Sequence, residues 1–125
     1  MSNPTVAWLA VVSGPGKGEI LTLGYGANSI GRGGGDRVNL DFGDLQISRQ
    51  EHATITYDPR GRKFYLQHGR GNNLTYLEQE PVLTPTQLTR NAQITLGDTI
   101  LLFIPLCSAD FDWQDIERES PDEPT

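Results

Sequence analysis

The chain has 125 residues, one cysteine and a net charge of -6 from 16 acidic and 10 basic side chains. That length supports one domain whose core needs neither disulfide nor metal; the lone Cys107 excludes an internal disulfide and fits a cytosolic setting. Seven acids and a single base fall in 108–125, leaving the body through Cys107 balanced at nine of each, with no broad basic face for nucleic acid.

The opening MSNPTVAWLA has neither a basic leader nor a long apolar run, so no signal peptide is expected, and no stretch approaches the ~20 apolar residues of a membrane span. Val6 to Val12 is a β-branched and aromatic run of strand length, closed by the Gly- and Pro-rich Ser13 to Gly18. Lys17 lies among glycines, but a Walker loop needs Gly-Lys-Ser/Thr opening a helix. Here Gly18 and a second strand, Glu19 to Leu23, follow, so no nucleotide site is expected. After the turn Gly24-Tyr25-Gly26, Ala27 to Ile30 leads into Gly31-Arg32. The glycines that follow also fail the dinucleotide fingerprint, because Arg37 to Leu40 alternates as a strand where a helix is required.

Asp41 to Asp44 reads as a turn, and Asp44 to Ile47 brings in Ser48-Arg49. His52 to Tyr57 alternates cleanly. Asp58-Pro59-Arg60-Gly61 is a turn with proline second and glycine fourth, and Arg62 to Gln67 is the returning strand. Beyond the loop His68 to Asn73, Leu74 to Leu77 and Val82-Leu83 flank a turn at Glu78 to Pro81. Gln93 to Leu96 and Thr99 to Ile104 form a closing hairpin about Gly97-Asp98. No stretch of ten residues in the body keeps a helical period. The expected fold is all-β, an antiparallel sandwich of about ten to eleven strands over 1–107.

The remainder, 108–125, is acidic and sparse in apolar residues. It is expected to be a flexible tail or an isolated helical turn, the alternative being that Phe111, Trp113 and Ile116 dock on the sandwich or on a partner.

The chemistry concentrates in loops. Gly31-Arg32, Ser48-Arg49 and Asn72-Asn73 each sit between strand-like runs. Together they offer two guanidinium forks, a hydroxyl and amide donors, a set suited to the acceptor oxygens of a phosphate. Taken singly, each arginine reads as a solvated surface charge and each asparagine as a turn-former. A hydrolase is disfavoured, because no Gly-x-Ser-x-Gly elbow surrounds Ser48 and no carboxylate is placed to orient His52. His52, His68 and Cys107 lack the paired spacing of metal ligands, so no metal or other cofactor is expected.

Gly31-Arg32, then Ser48-Arg49 with His52 behind, then Asn73-Leu74-Thr75, on this all-β background from Trp8 to Cys107, resemble the forkhead-associated (FHA) domain. The resemblance implies a non-enzymatic, cytoplasmic module that binds phosphothreonine in a partner protein, downstream of a Ser/Thr kinase, with neither nucleic acid nor membrane as ligand. It implies that Arg32 and Ser48 contact the phosphate, Arg49 adds charge there, and Asn73 bonds the ligand main chain. Asn72 stands where many members place a phosphate-holding Ser or Thr, while Gly31 and His52 support the site. From another class, the alternative is a structural or regulatory sandwich that binds an unmodified protein surface through its arginines. Two departures are visible. Ser48 to His52 holds one residue more than the family's Ser-Arg-x-His, so either the loop bulges or His52 leaves its bracing position. Leu74 replaces the glycine that commonly follows the asparagine.

Overall fold

A computed structural model describes residues 3–119. Eleven strands alternate with short turns: β1 (Ala7–Ser13), β2 (Ile20–Leu23), β3 (Gly26–Gly31), β4 (Val38–Asn39), β5 (Ala53–Asp58), β6 (Lys63–His68), β7 (Thr75–Leu77), β8 (Glu80–Pro81), β9 (Thr86–Leu88), β10 (Gln93–Leu96) and β11 (Thr99–Pro105). They form a six-stranded sheet ordered β2-β1-β11-β10-β7-β8 and a five-stranded sheet ordered β4-β3-β5-β6-β9. The expected all-β sandwich is therefore what the chain forms. One detail departs from strict antiparallel pairing: β4 runs parallel to β3, Ile30 opposite Val38.

Turn chemistry sets the registers. Gly97, at φ +60°, opens the two-residue link that pairs Leu96 with Thr99. Glu78 and Gln79 both take left-handed backbone in the β7–β8 link, the geometry whose twist matches a tight hairpin. Between β5 and β6 the Asp58 carboxylate accepts the Arg60 N–H at 3.0 Å, and Asp58 O accepts that of Arg62. Inward side chains of both sheets, among them Leu9, Ile30, Ile55, Leu66, Leu101 and Phe103, are buried into one core. Each such side chain contributes on the order of 1.5–3 kcal/mol by leaving water. Among the described residues no helix is long and apolar enough to cross a membrane.

The start of the acidic segment packs on the sandwich. Ser108 bridges to Phe111, and α1 (Trp113–Glu119) follows. Asp112 caps it: its Oδ1 accepts the Gln114 N–H at 2.9 Å, while Asp115 Oδ2 accepts the Asp112 N–H at 3.1 Å, a reciprocal capping box. Asp112 is wholly buried, and its two oxygens accept the Tyr25 and Tyr57 hydroxyls at 3.0 and 2.6 Å. Trp113 Nε1 donates to Thr5 O at 2.7 Å, and Arg62 pairs with Asp115. Of the three apolar side chains considered for docking, Phe111 and Trp113 pack against the core and Ile116 stays exposed. Residues 120–125 lie outside the described residues.

Candidate phosphate cleft

Three connections leave the same end of the five-stranded sheet: 32–37 after β3, 40–52 before β5 and 69–74 after β6. Backbone bonds lash them together. Arg32 N donates to Ser48 O at 3.0 Å and Gly33 N to Arg49 O at 2.9 Å, so the first loop runs along the second. Gly31 permits this approach: a Cβ there would strike the Asp36 carboxylate and lie 2.9 Å from Arg49 O. Arg70 N donates to Glu51 O at 2.7 Å and ties in the third loop.

Between the loops lies an open cleft of about 400 Å³, lined by Arg32, Ser48, Arg49, Arg70, Asn72 and Asn73 over Leu45 to Ile47. All five expected binding residues border it, including Arg32 and Ser48 from separate loops. Among the described residues no carboxylate does. Arg32 is fixed by its Nε, which donates to Ile47 O at 2.6 Å. Its terminal nitrogens bond to no described residue and remain available as a fork. Arg49 and Asn72 are exposed. Ser48 is half-buried, and its hydroxyl donates to Gln50 O at 2.9 Å, a bond that a ligand oxygen can replace by rotation of the hydroxyl. Asn73 spans the cleft floor, its Nδ2 donating to Gln46 O at 3.0 Å.

His52 lies beneath, with no exposed surface. Its Nδ1 accepts the Ser48 N–H at 2.9 Å, and its backbone N–H donates to Ile30 O. The additional residue before it leaves this brace in place. Glu51 takes left-handed backbone, φ 40°, and the loop bulges there while its N–H donates to Asp36 Oδ2 at 2.9 Å. Because Nδ1 accepts, the ring proton sits on Nε2, which is buried, faces the Asn73 and Leu74 backbone, and makes no hydrogen bond of normal geometry. Burial lowers the His52 pKa from 6.5; the Leu74 and Asn73 carbonyls oppose this only in part, and the nearby His68 adds to it. The imidazole is thus neutral at pH 7.

Several supporting residues carry no signal of their own in the sequence. Asp44 is 4% exposed; its carboxylate accepts the Gln46 and Asp98 N–H groups at 3.0 and 2.8 Å and the Thr99 hydroxyl at 2.7 Å, fastening the serine loop to the β10–β11 turn. His68 Nε2 donates to Gly71 O at 3.0 Å and its Nδ1 meets Thr75 Oγ1 at 2.9 Å, shaping the asparagine loop. Arg70 is a third cation at the cleft, 3.4 Å from Glu51 Oε1. Only Arg70 is hinted at by the sequence, as a charged residue amid loop glycines. Among the described residues no group of three His, Cys, Asp or Glu could hold a metal ion.

The FHA domain model matches residues 28–97. A solved FHA domain from a study of phosphothreonine-dependent FHA domain interactions is 29% identical, with 80% of this chain and 96% of that one covered at TM-score 0.68. The FhaA FHA domain, in complex with the intracellular domain of a second protein, is also 29% identical (78% and 98% covered, TM-score 0.66). Mycobacterium tuberculosis EmbR with a low-affinity phosphopeptide is 25% identical, over 86% of this chain and 26% of that one, at TM-score 0.68. A search of curated protein sequences gave no match.

Proposed function

This chain belongs to the forkhead-associated domain family, whose members are binding modules rather than enzymes, and from that premise we propose that it binds phosphothreonine in a partner protein. One observation carries the proposal: three arginines, a serine hydroxyl and two asparagines border a single cleft that no carboxylate among the described residues lines. A phosphorylated side chain brings about -1.5 to -2 charges and three acceptor oxygens, and such a ligand needs converging donors with at least one cation. Arg32, pinned at Nε, presents its terminal N–H pair to two phosphate oxygens. Ser48 donates its hydroxyl to the third, and Arg49 and Arg70 add charge from the rim. Asn72 assists at the phosphate, and Asn73 directs the ligand main chain from a side chain already braced on Gln46 O. Binding of this kind joins a kinase substrate to a complex. It places the protein as an adaptor in Ser/Thr-kinase signalling, in a cytosolic setting that a single buried thiol suits.

The test is calorimetric titration of one threonine peptide, drawn from a phosphopeptide library screen, with and without its phosphate. The phosphorylated form should bind at least about a hundredfold more tightly, since two or three charge-assisted hydrogen bonds depend on it. Arg32→Ala should erase the difference. Equal affinities for the two peptides would eliminate phosphate recognition.

A further inference from the structure

We propose that the outer face of the six-stranded sheet is a self-association surface on which a second copy of this chain docks. A sheet with core on one side and water on the other alternates apolar with polar side chains. The five-stranded sheet does so: Phe64 and Leu66 point inward between Lys63, Tyr65 and Gln67, and the outward neighbours across the strands are Asp58 opposite Lys63 and Thr56 opposite Tyr65.

In the six-stranded sheet β10 does so too, with Gln93 and Thr95 outward of buried Ile94 and Leu96, but β1 and β11 do not. In β1, buried Leu9 alternates with Trp8 and Ala10; in β11, buried Leu101 and Phe103 alternate with Ile100, Leu102 and Ile104. Register sets these outward groups side by side, Trp8 opposite Ile104 and Ala10 between Leu102 and Ile20. The stripe continues past Thr95, which faces Ile100, to Tyr76. Val12, Ile20 and Tyr76 are 38, 56 and 37% exposed. Strands apolar on both faces are the mark of a sheet covered on both sides. Hydrogen bonds from the docked segment at 111–115 run to Thr5, Tyr25, Tyr57 and Arg62, none of them an outward strand residue of this face.

A second copy is the occupant that the face itself describes. None of its outward strand residues from β2 to β7 bears a formal charge, so a copy seated by two-fold symmetry meets no like-charge repulsion, and two such sheets can interdigitate at about 10 Å spacing. Five strands at ~4.8 Å and about five residues at ~3.4 Å give a footprint of roughly 400 Å² per copy. The two together bury roughly 800 Å², the scale of a reversible contact rather than an obligate dimer. The phosphate cleft, at the loop end of the opposite sheet, stays open in both copies.

Sedimentation velocity on the 125-residue chain, from about 5 to about 500 µM, reads this directly, because a weak reversible contact shifts between monomer and dimer over such a concentration range. The weight-average mass should climb from 13.8 kDa toward twice that value. Val12→Lys and Ile20→Lys, both at exposed positions and checked for an unchanged melting temperature, should each raise the dissociation constant at least about tenfold, because either lysine must lose water at the contact. A wild type that stays monomeric at the highest concentration overturns the proposal, whether or not another protein can be captured on the face. So does a dimer that persists undiminished in both variants.

Discussion

Ser48 donates its backbone N–H to Nδ1 of His52 at 2.9 Å, four residues away across a bulge at Glu51. This bond points the Ser48 side chain toward the cleft while the imidazole stays out of it. His52→Ala removes the acceptor, leaves a part-buried N–H without a partner and opens a cavity under the loop. It should cost on the order of 2–4 kcal/mol in urea denaturation. Ser48→Ala, by contrast, should lower phosphopeptide affinity at least about tenfold with under about 1 kcal/mol of stability change. If His52→Ala left both stability and affinity untouched, the brace would have no role.

The same histidine makes stability depend on pH. Its folded pKa is below the unfolded 6.5. The unfolded chain therefore binds the proton first, and stability rises with pH where it does. His52 thus contributes in full above about pH 6.5, and its contribution falls as pH drops from there toward the folded value. Denaturation midpoints between about pH 5 and pH 7.5 should decline on the acid side in the wild type. In His52→Gln that decline should be shallower, and equal slopes would show that His52 does not titrate in this window.

Arg32 should not tolerate lysine. Its Nε is committed to Ile47 O, which leaves the two terminal nitrogens for the ligand, whereas an ammonium on a flexible stem cannot do both. Arg32→Lys should weaken phosphopeptide binding by roughly ten- to a hundredfold with the net charge unchanged, the equivalent of one or two charge-assisted bonds. Calorimetry showing wild-type affinity would make Arg32 a diffuse charge rather than a positioned fork.

Strands whose sequences alternate or run apolar could be read without coordinates: β1, the β5–β6 hairpin and the β10–β11 hairpin lie within a residue or two of expectation. β9 could not, because Thr86-Gln87-Leu88 holds one apolar residue and is a strand only by pairing with β6. The cleft was legible where residue types are distinctive, at Arg32, Ser48 and Asn73. Its supports were not. Asp44 looks like an ordinary turn residue, and only burial against Asp98 and Thr99 makes it a clasp between loops far apart in sequence. Glu51 is likewise invisible, since nothing about glutamate announces left-handed backbone.

Asp112 lies in a segment whose acidic composition suggests little order. The carboxylate is wholly buried, yet it accepts two tyrosine hydroxyls and caps α1. Burial pushes its pKa up, but the bonds from Tyr57, the Gln114 N–H and Tyr25, with the Arg62 charge, outweigh that and hold it below the usual carboxylate value. Its contribution is therefore present above about pH 4 and lost as pH falls through the lowered folded pKa. Asp112→Ala takes the buried acceptor away from the Tyr25 and Tyr57 hydroxyls and removes the cap, and should cost on the order of 3–5 kcal/mol. Phosphopeptide affinity, measured well below the melting temperature, should be unchanged, since the cleft draws on none of these bonds. A melting temperature that matches the wild type would mean that 108–119 rests on the sandwich without stabilising it.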